Sequence, residues 1–125
     1  RSTLFPYTTL FRSQPLTLEN GNAAGAFFET YVVTEILKSY MNLGIDPNLY
    51  YYRDIDRKEI DLLMVQGNTL YPIEIKKSKN PSDPDKNLKA LDKFKMEVKP
   101  MLVLCMTNEL IPYNRDAWLC PISVI

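Results

Sequence analysis

Histidine is absent from the 125 residues of the sequence. Its absence excludes histidine general bases, Ser-His and Cys-His nucleophile pairs, and histidine zinc sites. The four glycines do not have the spacing of a phosphate-binding loop. Cys105 and Cys120 lack the spacing of metal ligands or of a disulfide framework, which indicates core thiols of a cytosolic protein. Any catalysis must therefore use carboxylates, lysines, tyrosines and a hard metal ion.

Long apolar runs are missing too. No stretch approaches the roughly 20 residues needed to cross a bilayer, and there is no signal-peptide pattern. We therefore expect a cytoplasmic protein with no membrane partner. Apolar residues make up 46% of the chain and charged residues 24%, a balance typical of one globular domain.

The formal net charge is zero, so the whole surface does not attract nucleic acid. Between Lys76 and Lys99, however, eight lysines face only four acids. This local excess either follows a phosphate backbone or is an ordinary solvated helix face with mixed charges.

Residues 1–13 (RSTLFPYTTLFRS) have no usable helix or strand period, and Leu-Phe and Arg-Ser each occur twice in them. The stretch resembles the translation of a sequencing-adapter oligonucleotide. We interpret it as a non-native segment and exclude it from fold reasoning, with a native apolar arm as the alternative. We expect the native chain to start near Gln14 and residues 14–125 to be one domain, a fragment of a longer protein.

Hydrophobic periodicity predicts the element order αβββαββ. The first helix covers residues 23 to about 42, and a second begins at Asp83 and Pro84 and ends before Pro100. In the second helix the apolar positions are Leu88, Leu91, Phe94 or Lys95, and Val98. The predicted strands cover residues 49–53, 59–65, 69–77, 101–106 and 117–125, and Pro121 suggests that the last of them is an edge strand.

The Gly67-Asn68 pair is a two-residue hairpin signal, and it fixes the register of the two strands around it. Val65 then lies opposite Leu70, Asp61 opposite Glu74, and Glu59 opposite Lys76, with the four charged side chains on one face. Like charges placed opposite each other destabilise a sheet. A divalent cation would explain the pair, because Mg²⁺ takes oxygen ligands and commonly binds one or two carboxylates.

An alternative needs no metal. Glu59 and Lys76 would form an ordinary cross-strand ion pair, with Asp61 and Glu74 at a solvated sheet edge. Against it, the remaining positions of the first strand are apolar on both faces, as in an interior strand: Ile60, Leu62 and Met64 on one face, Leu63 and Val65 on the other. A bulge would change the Asp61–Glu74 pairing.

Asp61 followed by Glu74-Ile75-Lys76 resembles the PD-(D/E)xK nuclease signature, with Ile60 in place of its proline. The whole chain from about Leu18 more closely resembles one domain of unknown function, found at the C-terminus of predicted bacterial and archaeal AAA-superfamily ATPases. The segments that carry this resemblance are Gly25-Ala-Phe-Phe-Glu29, Glu59-Ile-Asp61, Ile73-Glu-Ile-Lys76 and Pro121-Ile-Ser-Val-Ile125.

The resemblance implies an α/β fold with a restriction-endonuclease-like αβββαβ core, a mixed central sheet flanked by helices. It implies Mg²⁺ (or Mn²⁺) bound by Asp61, Glu74 and the backbone carbonyl of Ile75, with Lys76 as the catalytic lysine. It also implies a catalytic role for Glu29, whose alternative is a surface acid near a helix N-terminus. Candidate phosphate contacts are Arg53, Lys77 and Lys79.

Three functions follow from these observations. The first is a Mg²⁺-dependent nuclease that hydrolyses DNA together with an N-terminal AAA ATPase domain. The second is a catalytically inactive nuclease-like domain that binds nucleic acid or a partner and regulates the ATPase, since a fold does not by itself imply activity. The third is a structural domain whose acids face solvent.

Overall fold

The computed structural model describes residues 2–7 and 23–124, which form a mixed α/β structure around one eight-stranded sheet. The helices are α1 (Ala23–Asn42) and the 3₁₀ helices η1 (Leu88–Phe94) and η2 (Ile122–Val124). The strands are β1 (Ser2–Pro6), β2 (Leu49–Asp54), β3 (Glu59–Gln66), β4 (Thr69–Ile75), β5 (Glu97–Val98), β6 (Met101–Cys105), β7 (Ile111–Asn114) and β8 (Ala117–Pro121).

The strand order is β1-β2-β3-β4-β6-β8-β7, and the short β5 pairs with β4 beside this path. The pairs β1/β2, β2/β3, β3/β4 and β7/β8 are antiparallel, whereas β4/β5, β4/β6 and β6/β8 are parallel. The predicted α/β class and mixed sheet are therefore confirmed. Among the residues that the structure describes, no helix is long and apolar enough to cross a membrane.

The sheet is covered on both faces. On one face, Val32, Val33 and Leu37 of α1 pack against Leu62, Ile75 and other strand residues. On the other face, Leu91 of η1 packs with a set of buried strand residues: Tyr52, Ile60, Leu63 and Leu70. A third cluster continues this core through β6 and β8. Burial on both faces explains the nearly continuous apolar sequence of β6.

The β3–β4 hairpin has the predicted register over its first five pairs, from Gln66 opposite Thr69 to Leu62 opposite Ile73. Gly67 has φ +59°, and Asn68 is not among the non-glycine residues with positive φ. Glycine at the first central position is characteristic of the type II′ turn, whose twist matches that of the flanking strands. The turn sequence therefore determined the register near the turn, as predicted.

The second helix was predicted wrongly. Residues 84–98 do not form an α-helix; instead they contain the 3₁₀ helix η1, which ends where Lys95 adopts φ +53°, and then β5. Leu88, Leu91 and Phe94 recur every three residues, which matches the three residues per turn of a 3₁₀ helix. Val98, assigned to the helical face, pairs with Leu70 in the sheet. Asp83 has φ +48° and is not an N-cap.

The C-terminal strands also differ from the prediction. The strand that contains Pro121 is not an edge strand, because β8 lies between β6 and β7. Pro121 is tolerated because it is the last residue of β8, beyond the stretch that pairs with β7. The edge strand is β7, which lies between the predicted strands 101–106 and 117–125; its Pro112 fits an edge position. Residues 122–124 form η2 rather than strand, and residue 125 lies outside the described residues.

Residues 2–6 form strand β1, which pairs with β2 at the other edge of the sheet. The sequence showed no strand period there, but an open sheet edge offers backbone N–H and C=O groups that pair with almost any extended chain. A strand at this place does not test the origin of the segment, and the adapter-derived origin stays a prediction. Residues 8–13 and the expected start near Gln14 lie outside the described residues.

Candidate functional site

Asp61 lies at a β-bulge. Ile60 and Leu63 of β3 pair with Tyr52 and Tyr50 of β2. Two residues, Asp61 and Leu62, lie between the first pair on β3, whereas only Tyr51 lies between their partners on β2. The extra residue interrupts the alternation of side chains, so that Ile60 and Leu63 pack in one core cluster and Leu62 in the opposite one. Bulges bend a strand and change the direction of a side chain, and they are frequent next to active sites.

Beyond Leu62 and Ile73, the register of β3 and β4 does not continue to the predicted Asp61–Glu74 pair. At this point, hydrogen bonds from backbone N–H groups to side-chain carboxylates take the place of backbone–backbone hydrogen bonds. The backbone N–H of Asp61 donates to Glu74 Oε1 (3.0 Å), and the N–H of Ile75 donates to Asp61 Oδ2 (2.9 Å). The two carboxylates are thus held between β3 and β4 at the point where backbone pairing of these strands ends. A bulge disrupts the ladder locally in this way.

Glu74 is a buried acid, with 7% of its surface exposed. Its nearest cation is Lys76, whose Nζ lies 3.6 Å from Glu74 Oε2 and whose side chain is 39% exposed. Burial, and then the negative charge of Asp61, raises the pKa of Glu74 to about 8. Lys76 and the backbone hydrogen bond from Asp61 act in the opposite direction but do not compensate. A cation that binds here would relieve an unfavourable negative charge.

Glu29 and Glu59 border the same acids. Glu29 on α1 is exposed to solvent, yet partial burial and then the charge of Asp61 raise its pKa. Burial and the charge of Asp61 also raise the pKa of Glu59. Glu59 accepts a hydrogen bond from the Tyr51 hydroxyl, and the Glu59–Lys76 ion pair of the metal-free alternative is not formed. The excess of negative charge is therefore shared by several acids.

A cavity of about 300 Å³ brings these residues together. Its lining contains all four predicted catalytic residues, Glu29, Asp61, Glu74 and Lys76. The buried Ile75 is adjacent and contributes its N–H to Asp61. The remaining lining residues are Arg57, Glu59, Pro84, Lys86 and Asn87.

The predicted phosphate contacts are not part of this cavity. Arg53 is exposed on β2, where it lies opposite Thr3 and Glu59. Lys77 is exposed after β4, and Lys79 lines a separate surface cavity with Asn80 and Thr107. These three residues are surface cations, and none of them lines the cavity.

Sequence reasoning missed Arg57, Lys86 and Asn87, which come from the loops before β3 and after β4. The local excess of lysines between Lys76 and Lys99 pointed to the segment that contains Lys86 and Asn87 but not to individual side chains. It also missed Tyr7, whose hydroxyl donates to the backbone carbonyl of Asp61, because the N-terminal segment was excluded from fold reasoning.

The oxygen ligands at this site suit a hard divalent cation. Asp61 and Glu74 are carboxylates on neighbouring strands, and Mg²⁺ characteristically keeps several waters while binding one or two carboxylates. No group of three acidic, histidine or cysteine side chains within residues 2–7 and 23–124 is arranged as a closed metal cage. The residues therefore fit an open two-carboxylate site rather than a structural metal centre.

The fold and site define a mixed α/β domain with an acidic, lysine-containing cavity at the opening between two central strands. The chain belongs to the family described as Domain of unknown function (DUF4143), whose model matches residues 24–125. The predicted membership of a domain of unknown function is thus confirmed, whereas the family description names no activity. No curated protein and no solved structure matches the chain.

Proposed function

We propose that this chain is a restriction-endonuclease-like nuclease domain that hydrolyses phosphodiester bonds of DNA with Mg²⁺ or Mn²⁺. The observation that carries the proposal is the convergence of Asp61, Glu74 and Lys76 in one cavity. The sequence order of these residues resembles the PD-(D/E)xK signature. The burial of Glu74 and the backbone hydrogen bonds that Asp61 and Glu74 accept distinguish the two acids from solvated surface acids.

Asp61 and Glu74 would hold the metal ion, together with the backbone carbonyl of Ile75. Bound there, the ion would supply Lewis-acid stabilisation of the phosphoryl oxygens and lower the pKa of a coordinated water. The raised pKa of Glu74 supports this assignment, because a divalent cation favours the ionised carboxylate that burial and Asp61 disfavour.

Lys76 would act on the substrate side of the metal ligands. Its side chain is partly exposed while its ammonium group lies 3.6 Å from Glu74, so it borders both the carboxylates and the open part of the cavity. From this position an ammonium group can orient the attacking water or stabilise negative charge on the phosphoryl group. Glu29, across from β3 on α1, would help to hold water or metal through its own carboxylate.

The proposed partner is an AAA ATPase domain N-terminal to this one in the longer protein. The resemblance of the chain to the C-terminal domain of predicted prokaryotic AAA-superfamily ATPases supports this part of the proposal. In that arrangement the ATPase would control access of DNA to the cavity.

The test is a DNA cleavage assay with the present chain in Mg²⁺ and in Mn²⁺. Asp61→Asn and Lys76→Met should each abolish cleavage, because the first removes a metal-ligand charge and the second removes the ammonium group. The matched controls are Glu109→Gln on an exposed loop and Lys38→Met on the exposed side of α1. Equal cleavage by the wild type and Asp61→Asn would contradict the proposal.

A second candidate function is binding without hydrolysis, in which the same cavity recognises DNA or a partner and regulates the ATPase. One observation favours it: Asp61 and Glu74 already accept backbone hydrogen bonds, so the acids have partners without a metal. Salt-dependent DNA binding with no cleavage in either metal would support this candidate and reject the nuclease.

A further inference from the structure

Two of the cations that line the acidic cavity, Arg57 and Lys86, have no role in the metal site. The cavity contains four carboxylates, from Glu29, Glu59, Asp61 and Glu74. Nevertheless, in the part of the chain that the structure describes, neither Arg57 nor Lys86 forms an ion pair. Cations whose only purpose was to neutralise these acids would lie in contact with them.

The backbone that carries Arg57 is fixed. Arg57 has φ +62°, in the left-handed region that L-residues other than glycine rarely adopt. Asp54 holds the turn in this form: its carbonyl accepts from Arg57 N (3.0 Å), and its Oδ1 accepts from Asp56 N and Lys58 N (3.0 Å each). Tyr52 and Lys93 secure the other carboxylate oxygen. Because these contacts hold the left-handed backbone of Arg57 in place, the position from which its side chain extends is fixed.

The backbone around Lys86, in the loop after β4, is held in a similar way. The Tyr113 hydroxyl accepts from Asp83 N (3.3 Å), and Asp85 Oδ2 accepts from the Asn114 side chain (2.8 Å). On the C-terminal side, the Asn87 side chain donates to the carbonyl of Glu59 (3.0 Å), which ties the loop to β3. The lysine side chain itself is exposed, so its backbone is anchored on both sides while its ammonium group is available to a ligand.

We propose that Arg57 and Lys86 form a two-cation clamp that holds the phosphate backbone of DNA over the carboxylates. This inference rests on the proposed function and adds to it the residues that position the substrate. Guanidinium and ammonium groups on separate anchored loops can hold phosphates on the DNA strand, and such contacts fix register without reading sequence. The clamp would also give a protein of zero net charge two cations beside its acids with which to bind a polyanion.

The experiment measures binding separately from cleavage. Fluorescence anisotropy with a labelled DNA duplex, in Ca²⁺ to prevent turnover, gives Kd over a series of salt concentrations. Arg57→Gln and Lys86→Gln should each weaken binding roughly tenfold near 50 mM salt and make the negative slope of log K against log salt less steep by about 0.9. Arg57→Lys, which keeps the charge, should keep the slope.

The matched controls are Lys38→Gln on α1 and Lys89→Gln on η1, which remove one exposed lysine charge each away from the cavity. Unchanged affinity and slope in Arg57→Gln and Lys86→Gln, or equal losses in the two controls, would overturn the clamp. Normal cleavage by the clamp variants at low DNA concentration would also overturn it. If the clamp variants show the expected slopes but the wild type does not cleave DNA, the clamp is supported and the nuclease function is rejected.

Discussion

Asp61 and Glu74 each accept a hydrogen bond from the backbone of the other's strand. Glu74 Oε1 accepts the N–H of Asp61 at 3.0 Å, and Asp61 Oδ2 accepts the N–H of Ile75 at 2.9 Å. The carboxylates therefore take the place of backbone pairs between β3 and β4. This arrangement makes the site part of the sheet, so that its occupation and its ionisation both affect stability.

Metal binding should raise the melting temperature through Asp61. Millimolar Mg²⁺ or Mn²⁺ should stabilise the folded wild type, by about 2.7 kcal/mol at a hundredfold excess over Kd. Asp61→Asn should lose this stabilisation because it removes a ligand charge. Thermal melts with and without metal provide the measurement, with Glu109→Gln as the control that should keep the full rise. An equal metal-induced rise in Asp61→Asn would mean that the ion binds elsewhere.

The metal-free protein should become less stable as the pH rises. In the folded chain the pKa of Glu74 lies at about 8, above its ordinary value of 4.5. Between these two values the folded state holds a proton that the unfolded state has released, so the free energy of unfolding falls with increasing pH and levels off above about pH 8. Urea unfolding at about pH 5, 7 and 9 measures this.

Glu74→Gln is the matched variant for that pH dependence. Glutamine keeps an oxygen that can accept the Asp61 N–H but cannot ionise. The variant should be less sensitive to pH over the same interval, and at pH 9 it should be at least as stable as the metal-free wild type. A pH dependence identical to that of the wild type would assign the effect to other groups.

Because the sheet is covered on both faces, two consecutive leucines of β3 are both core residues. Leu62 and Leu63 are fully buried in different clusters. Leu62→Ala and Leu63→Ala should each lower the free energy of unfolding by about 2–5 kcal/mol, because each leaves a cavity. Leu110→Ala is the control, since Leu110 is 59% exposed and its loss should cost less than about 0.5 kcal/mol. Chemical denaturation measures both losses, and a near-neutral effect at either leucine would contradict burial on both faces of β3.

The β3–β4 turn should tolerate substitution at only one of its two central residues. Gly67 has φ +59°, and a Cβ added to it would meet no atom within 4 Å, so the cost of Gly67→Ala comes from the backbone alone. We expect a loss of about 1–2 kcal/mol. Asn68→Ala should be nearly neutral, as Asn68 does not have positive φ. Equal effects of the two changes in urea unfolding would contradict the turn assignment.

The hairpin was predictable from sequence because a two-residue turn sets the register of its strands locally. The carboxylates could be placed near each other for the same reason. The bulge at Asp61 was not predictable, because it depends on pairing with β2, a strand distant in sequence. Residues 84–98 show another limit: apolar residues at three-residue spacing fit α and 3₁₀ helices, and the pairing of Val98 with β4 favours the shorter form.

Arg57 and Lys86 were missed for a different reason. Their neighbours in sequence are ordinary charged loop residues, and only the folding of two separate loops toward one cavity distinguishes them. Trp118 on β8 is 39% exposed, whereas its strand neighbours Ala117 and Leu119 are buried.

The position of Trp118 has a practical consequence. It is the one tryptophan in the sequence, and β6 separates its strand from β4 and the acidic cavity. Its indole ring is partly exposed on a strand that is paired on both sides, so its emission would change when the sheet comes apart. Because it does not line the cavity, a metal ion bound there would leave its folded signal largely unaltered. The protein thus carries an intrinsic fluorescent reporter of unfolding that is spatially separate from the candidate metal site.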